Sequence, residues 1–193
     1  MNLIFLGGIH GSGKDYVLDK IASKTSLQPL RASDVLKWTE YSHNPELKQV
    51  RSIPQTQDRL IHNLNLIMQK DKKYLLNGHF CLLNAEGKIE RVPLETFEKL
   101  APKSLYIKTS APQVILERLK KRDAKEWPLR VLDAMQNEEI WYAKELSKIL
   151  KIPLHLVEDN QEEAFLSLLK KDMKEMNNLK DFSILTSSRS RSF

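Results

Sequence analysis

The sequence predicts an α/β fold, a parallel sheet with helices on both faces. Two observations carry this reading. Short apolar runs alternate along the whole chain with segments whose apolar residues recur at helical spacing. The first such run, NLIFLGG, leads into a glycine-rich turn and then into an amphipathic segment, as a strand, loop and helix would. Alternation of this kind gives parallel strands covered on both sides. Ligands in such sheets bind at the carboxyl ends of the strands.

The elements follow in order. NLIFLGG reads as a buried strand. Lys14 to about Lys24 reads as a helix with Val17, Leu18, Ile21 and Ala22 on one face, and LQPL as a short second strand. Ser33 or Asp34 can cap a helix carrying Val35, Leu36 and Trp38. Pro54 ends a polar loop. A helix then runs from about Gln55 to Lys70, with Leu60, Ile61, Leu64, Ile67 and Met68 inward. YLLNGHF is the next strand and NAEGK a turn, followed by a short helix with Leu94, Phe97 and Leu100. SLYIKT is a further strand. Ser110 and Pro112 open a helix ending in the charge cluster ERLKKRDAKE. A long helix follows Pro128, with Leu132, Met135, Tyr142, Leu146 and Ile149 at helical spacing. PLHLVED is the last strand, and a final helix covers about Gln161 to Met176.

A chain of 193 residues, 41% hydrophobic and 29% charged, fits one globular domain with at most small insertions. Residues 1–176 read as that domain and 177–193 as a polar, flexible tail. The one cysteine, Cys81, excludes an intrachain disulfide and suits a reduced, cytoplasmic compartment. Its place in a strand region predicts burial. The opening MNLIFL lacks a basic leader, and no apolar run is long enough to span a bilayer, so no membrane partner is expected. The net charge of +6 suits an anionic partner such as nucleotide phosphates or nucleic acid, or simply a lysine-rich solvated surface. Arg189 and Arg191 in the tail are the residues a nucleic acid would meet.

The stretch GGIHGSGKD nearly matches the phosphate-loop pattern G-x-x-x-x-G-K-[ST]. Gly8, Gly13 and Lys14 hold their required places. Glycines let backbone N–H groups converge and the chain approach phosphates closely, which Gly8, Gly11 and Gly13 supply with His10 and Ser12 between them. The helix beginning at Lys14 adds its positive end, and Lys14 a mobile charge. The final position departs from the pattern: Asp15 stands where a metal-binding hydroxyl is expected. A second departure answers it. The strand YLLN ends in Asn77, where an aspartate would be the other magnesium element. Either Asp15 supplies the carboxylate that Asn77 lacks, or both metal positions, Asp15 and Asn77, have decayed.

ERLKKRD places Arg118 and Arg122 four apart on one helix face, where two guanidiniums can converge on a phosphate. Arg130 is a weaker candidate for the same work. Arg31 and Arg51 are candidates for an acceptor phosphate, and His79, one residue past Gly78, for a hydrogen bond to it. The residues show no zinc-type Cys/His spacing and no serine nucleophile elbow.

Taken together, GGIHGSGKD, ASDVLKW, YLLNGHFCLL with the turn NAEGK, and PQVILERLKKRD resemble the P-loop nucleoside monophosphate kinases, above all archaeal-type adenylate kinases and their small bacterial relatives. The resemblance covers residues 1 to about 158. It implies a three-layer P-loop kinase fold, a five-stranded parallel sheet in order 2-3-1-4-5, ATP and Mg2+ as cofactors, and a small mobile lid at about 118–130. It implies Lys14, Arg118 and Arg122 as catalytic groups, and Arg31, Ser33 and His79 near a small-molecule nucleotide acceptor. Three functions follow as expectations: transfer of the γ-phosphoryl of ATP to a nucleoside monophosphate, a nucleotide-bound switch or slow ATPase, and a kinase or repair factor acting on nucleic-acid ends.

Overall fold

Burial of the apolar runs against one another organises the chain. A computed structural model describes residues 2–36, 42–44, 49–50, 52–122 and 127–189. Trp38, Arg51, Arg191 and the Arg189 side chain lie outside that description. In chain order the elements are β1 (Leu3–Gly7), α1 (Lys14–Ala22), β2 (Gln28–Arg31), α2 (Ala32–Leu36), β3 (Ser42–Asn44), β4 (Gln49–Val50) and α3 (Ile53–Ile67). There follow β5 (Tyr74–Asn77), β6 (Cys81–Asn84), β7 (Ile89–Arg91), α4 (Leu94–Leu100), β8 (Ser104–Lys108), α5 (Pro112–Arg122), α6 (Leu129–Leu150), β9 (Leu154–Val157) and α7 (Glu162–Arg189).

The main sheet is five-stranded and parallel, in the order β2-β5-β1-β8-β9. Counted within this sheet alone, that is the order 2-3-1-4-5. The labels differ because four short strands of a second sheet, β3-β4-β6-β7, intervene in the chain. That second sheet was not expected from the sequence. YLLNGHF is not one strand: β5 stops at Asn77, the chain turns at Gly78 and His79, and Cys81–Asn84 starts a hairpin with Ile89–Arg91 around the NAEGK turn.

Side chains alternate across β1, as a strand's two-residue period requires. Leu3 and Phe5 join a core with Phe80, Phe97, Tyr142 and Leu146, whereas Ile4 and Leu6 join one with Val17, Leu18, Ile21, Phe165 and Leu169. A third cluster, including Ile9, Ile115, Leu119, Trp127, Leu132 and Met135, packs α5 and α6 against the glycine loop. Helix periodicity was therefore read correctly through most of its length. It failed at helix ends: Ile67 and Ile149 are 47% and 48% exposed, and Met68 lies just past α3. Ser33 and Asp34 fall inside α2 rather than capping it. Cys81 is fully buried. The final helix runs through to Arg189, beyond the expected end near Met176. No helix among the described residues is long and apolar enough to cross a membrane.

Register places the working residues. Arg31 pairs with Asn77, Leu6 with Asn77, and Gly7 with Ile107, so Arg31, Asn77, Gly7 and Lys108 stand side by side at the carboxyl edge. On the far side of the sheet the buried Tyr106 hydroxyl donates to Asp172 of α7 at 2.7 Å. Tyr106→Phe leaves that 6% exposed carboxylate without this donor. It should cost about 1–3 kcal/mol of stability. Urea unfolding of the two proteins measures this, and equal midpoints would count against the bond as an anchor for α7.

Candidate active site

The loop after β1 is shaped by positions where only glycine fits. Gly8 and Gly13 have φ of 137° and 94°. A Cβ at Gly8 would lie 2.5 Å from the Lys108 carbonyl oxygen, so the loop rests directly on the end of β8. The Ser12 N–H donates to the Ile9 carbonyl at 3.3 Å, and the Val17 N–H to that of Gly13 at 3.1 Å, which starts α1 at Lys14. His10, Gly11, Gly13, Lys14 and Asp15 line one cavity of about 420 Å³; Gly8 and the fully buried Ser12 are not in its wall.

Lys14 is 6% exposed, and its ammonium donates to the carbonyls of Gly8 and, at 3.0 Å, Ile9. Burial pushes its pKa down to about 8, against the pull of Glu139 and Asp15. Glu139 of α6 is fully buried beneath the loop. Its Oε1 accepts the N–H groups of Phe80 at 3.0 Å and Cys81 at 3.2 Å. Burial raises its pKa to about 7, while Lys14 and the backbone amides of Cys81, Phe80 and Gly8 hold it down. Glu139 was missed in the sequence, although it occupies the apolar stripe of α6 between Met135 and Tyr142. A charged residue on a buried helical face was the available signal.

Asp15 and Asn77 meet. The Asn77 amide donates to Asp15 Oδ1 at 2.8 Å, and Arg31 Nε donates to the same oxygen at 3.1 Å. Arg31 also bridges to Asp19. Among the described residues no group of three or more His, Cys, Asp or Glu side chains is placed to hold a metal alone. Magnesium takes hard oxygen ligands, and the Asp15 carboxylate beside the Asn77 amide presents oxygens of that kind to the cavity.

Behind the loop is a second polar cluster that sequence reading missed in part. Arg118 donates to the carbonyls of Gly11 at 3.4 Å and Ser12 at 3.3 Å, and to Ser110 Oγ at 2.9 Å. Asp159, after β9, accepts from Lys108 at 2.7 Å, Ser110 at 2.8 Å and Arg118 at 3.3 Å. Burial lowers the pKa of Lys108 and Asp159 opposes the shift. Gln136 pairs with both backbone groups of Ser110. The sequence offered Lys108 as the basic end of a buried strand, but nothing linked it to Asp159.

The cavity gathers most of the expected site. Lys14, Asp15, Arg31, Ser33, Asn77, His79, Arg118 and Arg122 all line it. Arg130 is exposed and does not. The expected lid, about 118–130, comprises the end of α5, residues outside the described set, and the start of α6. His79 is 18% exposed; its Nδ1 lies 3.4 Å from Glu139 Oε1 and its ring centroid 4.3 Å from that of His10.

Comparison with known proteins bears on this geometry. A family model described as an AAA domain matches residues 7–136, which include the loop, Asn77 and both arginines of α5. Among solved structures, an unliganded sugar kinase from Janibacter sp. HTCC2649 superposes with a TM-score of 0.54 at 15% identity, covering 90% of this chain and 95% of that one. At that identity the likeness is one of fold. No curated protein matches the chain.

The buried pair makes stability depend on pH. Between about pH 4.5 and 7 the unfolded chain has released the Glu139 proton and the folded chain has not, so stability falls as pH rises. Between about pH 8 and 10.5 the unfolded chain keeps the Lys14 proton that the folded chain has lost, so stability rises. Glu139→Gln should flatten the first slope. Urea midpoints across pH 5 to 8 test this, and an unchanged slope in the variant would exclude Glu139 as its source.

Proposed function

The chain belongs to the AAA-domain family, and from that premise we propose that it is a P-loop phosphotransferase that moves the γ-phosphoryl of ATP to a nucleoside monophosphate. One observation carries the reading. A single cavity joins Lys14, Arg118 and Arg122 at the glycine loop to Arg31, Ser33 and His79 and to an apolar chamber beyond them. Two nucleotides meeting end to end need this arrangement: cations where the phosphates meet, and a less polar recess for an acceptor's body.

In the proposed reaction an oxygen of the acceptor phosphate attacks the γ-phosphorus. The bond to the β–γ bridging oxygen breaks, and ADP leaves with the electron pair. The acceptor becomes a diphosphate. Charge spreads over the moving group's oxygens, so positioned cations do most of the catalytic work. Lys14 serves the outer phosphates of ATP. Arg118, held over the loop carbonyls by Ser110 and Asp159, presents its charge from the α5 side, and Arg122 lies one turn further along the same helix. Glu139 keeps the loop and the Phe80–Cys81 turn in register. Asp15 and Asn77 would hold a magnesium ion here, which when bound would supply neutralisation of phosphate charge.

ATP with magnesium and a panel of nucleoside monophosphates, scored for ADP and diphosphate, tests the reading. Acceptor-stimulated ADP release is expected. Release that ignores every acceptor would favour the slow-ATPase reading instead. Lys14→Ala should abolish transfer and weaken ATP binding while the far-ultraviolet spectrum stays the same. Unchanged ATP affinity in that variant would remove the loop as the nucleotide site.

The contact between Asp15 and Asn77 supports an exchanged metal pair over two decayed positions. Asp15→Ser should weaken the magnesium response badly, and Asn77→Asp should bind metal tightly but nucleotide poorly. The double variant should recover more activity than the single effects sum to, with coupling of about 0.5–3 kcal/mol. Magnesium titrations of transfer by all four proteins measure this. Additive effects would rule out the exchange.

A further inference from the structure

Asp159 lies two residues past β9 and outside the cavity wall. Backbone pairing brings it there. Lys108 pairs with Val157 in register, and the Thr109 N–H donates to the Val157 carbonyl at 2.9 Å, so the chains after β8 and β9 leave the sheet together. Asn160 then takes a left-handed conformation, φ 62°, just before α7 begins. The Asp159 carboxylate is thereby set against Lys108 and Ser110, at the exit of β8. Its Oδ1 also accepts from Arg118 Nη2 of α5, at 3.3 Å.

Lys108 is 3% exposed, and the need to neutralise it accounts for a carboxylate at this place. It does not account for the arginine. The Arg118 side chain is 40% exposed, and a long side chain so placed ordinarily keeps its rotamer freedom. Here its guanidinium has four acceptors: the Gly11 and Ser12 carbonyls, Ser110 Oγ and Asp159. Asp159 is the charged one of the four. A Cβ at Gly13 would lie 3.4 Å from Arg118 Nη1, so the guanidinium rests against the loop itself. Arg118 lines the cavity with Gly11, Gly13 and Lys14, whereas Asp159 does not, so Asp159 reaches a ligand there only through Arg118. A group fixed before its ligand arrives loses less freedom on binding. We propose that Asp159 is a positioning residue for ATP: it holds the Arg118 guanidinium at the rim of the empty glycine loop, so that loop and arginine meet the phosphates as one preformed surface. The proposal rests on the reading of the loop as the ATP site and adds to it the residue that sets Arg118.

Equilibrium ATP binding in the absence of any acceptor tests this, because it needs no turnover. Affinities are measured for the parent protein, Asp159→Asn, Arg118→Ala and the double variant, with Lys14→Ala as the control for the loop. A carboxylate near the phosphates repels them, so charge alone predicts that Asp159→Asn binds ATP more tightly. Positioning predicts the opposite. Asp159→Asn should weaken ATP binding on the order of tenfold, the size expected of a hydrogen bond to a charged group. In the Arg118→Ala background the same change should weaken it no further. Lys108→Met combined with Asp159→Asn removes both charges of that pair and serves if the single variant fails to fold; it should weaken ATP binding equally. If Asp159→Asn binds ATP as tightly as the parent or more tightly, while Lys14→Ala weakens it, the proposal is overturned and the loop reading stands. Equal weakening by Asp159→Asn with and without Arg118 also overturns it. A parent that binds no ATP overturns both. A coupled Asp159–Arg118 pair in a protein that transfers no phosphoryl group upholds the positioning and counts against the transfer reading alone.

Discussion

The carboxylate of Glu139 is the constraint around which the site is assembled. It is fully buried, and it faces three separate pieces of chain: the glycine loop through Lys14 and Gly8, the turn after β5 through Phe80 and Cys81, and His79. A buried carboxylate is tolerated only where hydrogen bonds and an opposing charge compensate it. Lys14 is the corresponding buried cation, so each makes the other's position tenable. Removing Lys14 would leave Glu139 with its backbone N–H donors but no opposing charge, so its carboxyl would hold a proton more tightly. The loop, the turn and α6 are thereby held in one relative arrangement.

The opposite side of the loop is held by a different device. Asp159 collects Lys108, Ser110 and Arg118, and Arg118 in turn reaches the carbonyls of Gly11 and Ser12. Charged donors make stronger bonds than neutral ones, and here they converge on one carboxylate oxygen. The phosphate loop therefore lies between two carboxylate-centred clusters, one on α6 and one after β9. Gly8 allows the close approach to the Lys108 carbonyl at the end of β8.

Between these clusters the cavity changes character along its length. Its mouth carries Lys14, Arg118 and Arg122, and Arg31 balanced by Asp15 and Asp19. Its depth is apolar, lined from α2, α3, α4 and the second sheet. A charged end and an apolar end thus meet in one cavity.

The sequence by itself determined the parallel sheet, because apolar runs and helical periodicity are local properties that each segment carries alone. It also determined the loop, since Gly8, Gly13 and Lys14 follow a spacing set by backbone torsions. Leu132, Met135, Tyr142 and Leu146 were legible as buried for the same reason, whereas Ile67 and Ile149 were not, because periodicity does not say where a helix leaves the core. Tertiary structure alone decided the rest. The second sheet joins strands of two to four residues, too short to show a pattern before their partners are known. The Asp15–Asn77 contact spans 62 residues and the Lys108–Asp159 contact 51. Glu139 acquires its meaning from burial beside groups distant in the chain. A polar side chain declares its role only through what surrounds it, and that is set when the helices pack on the sheet.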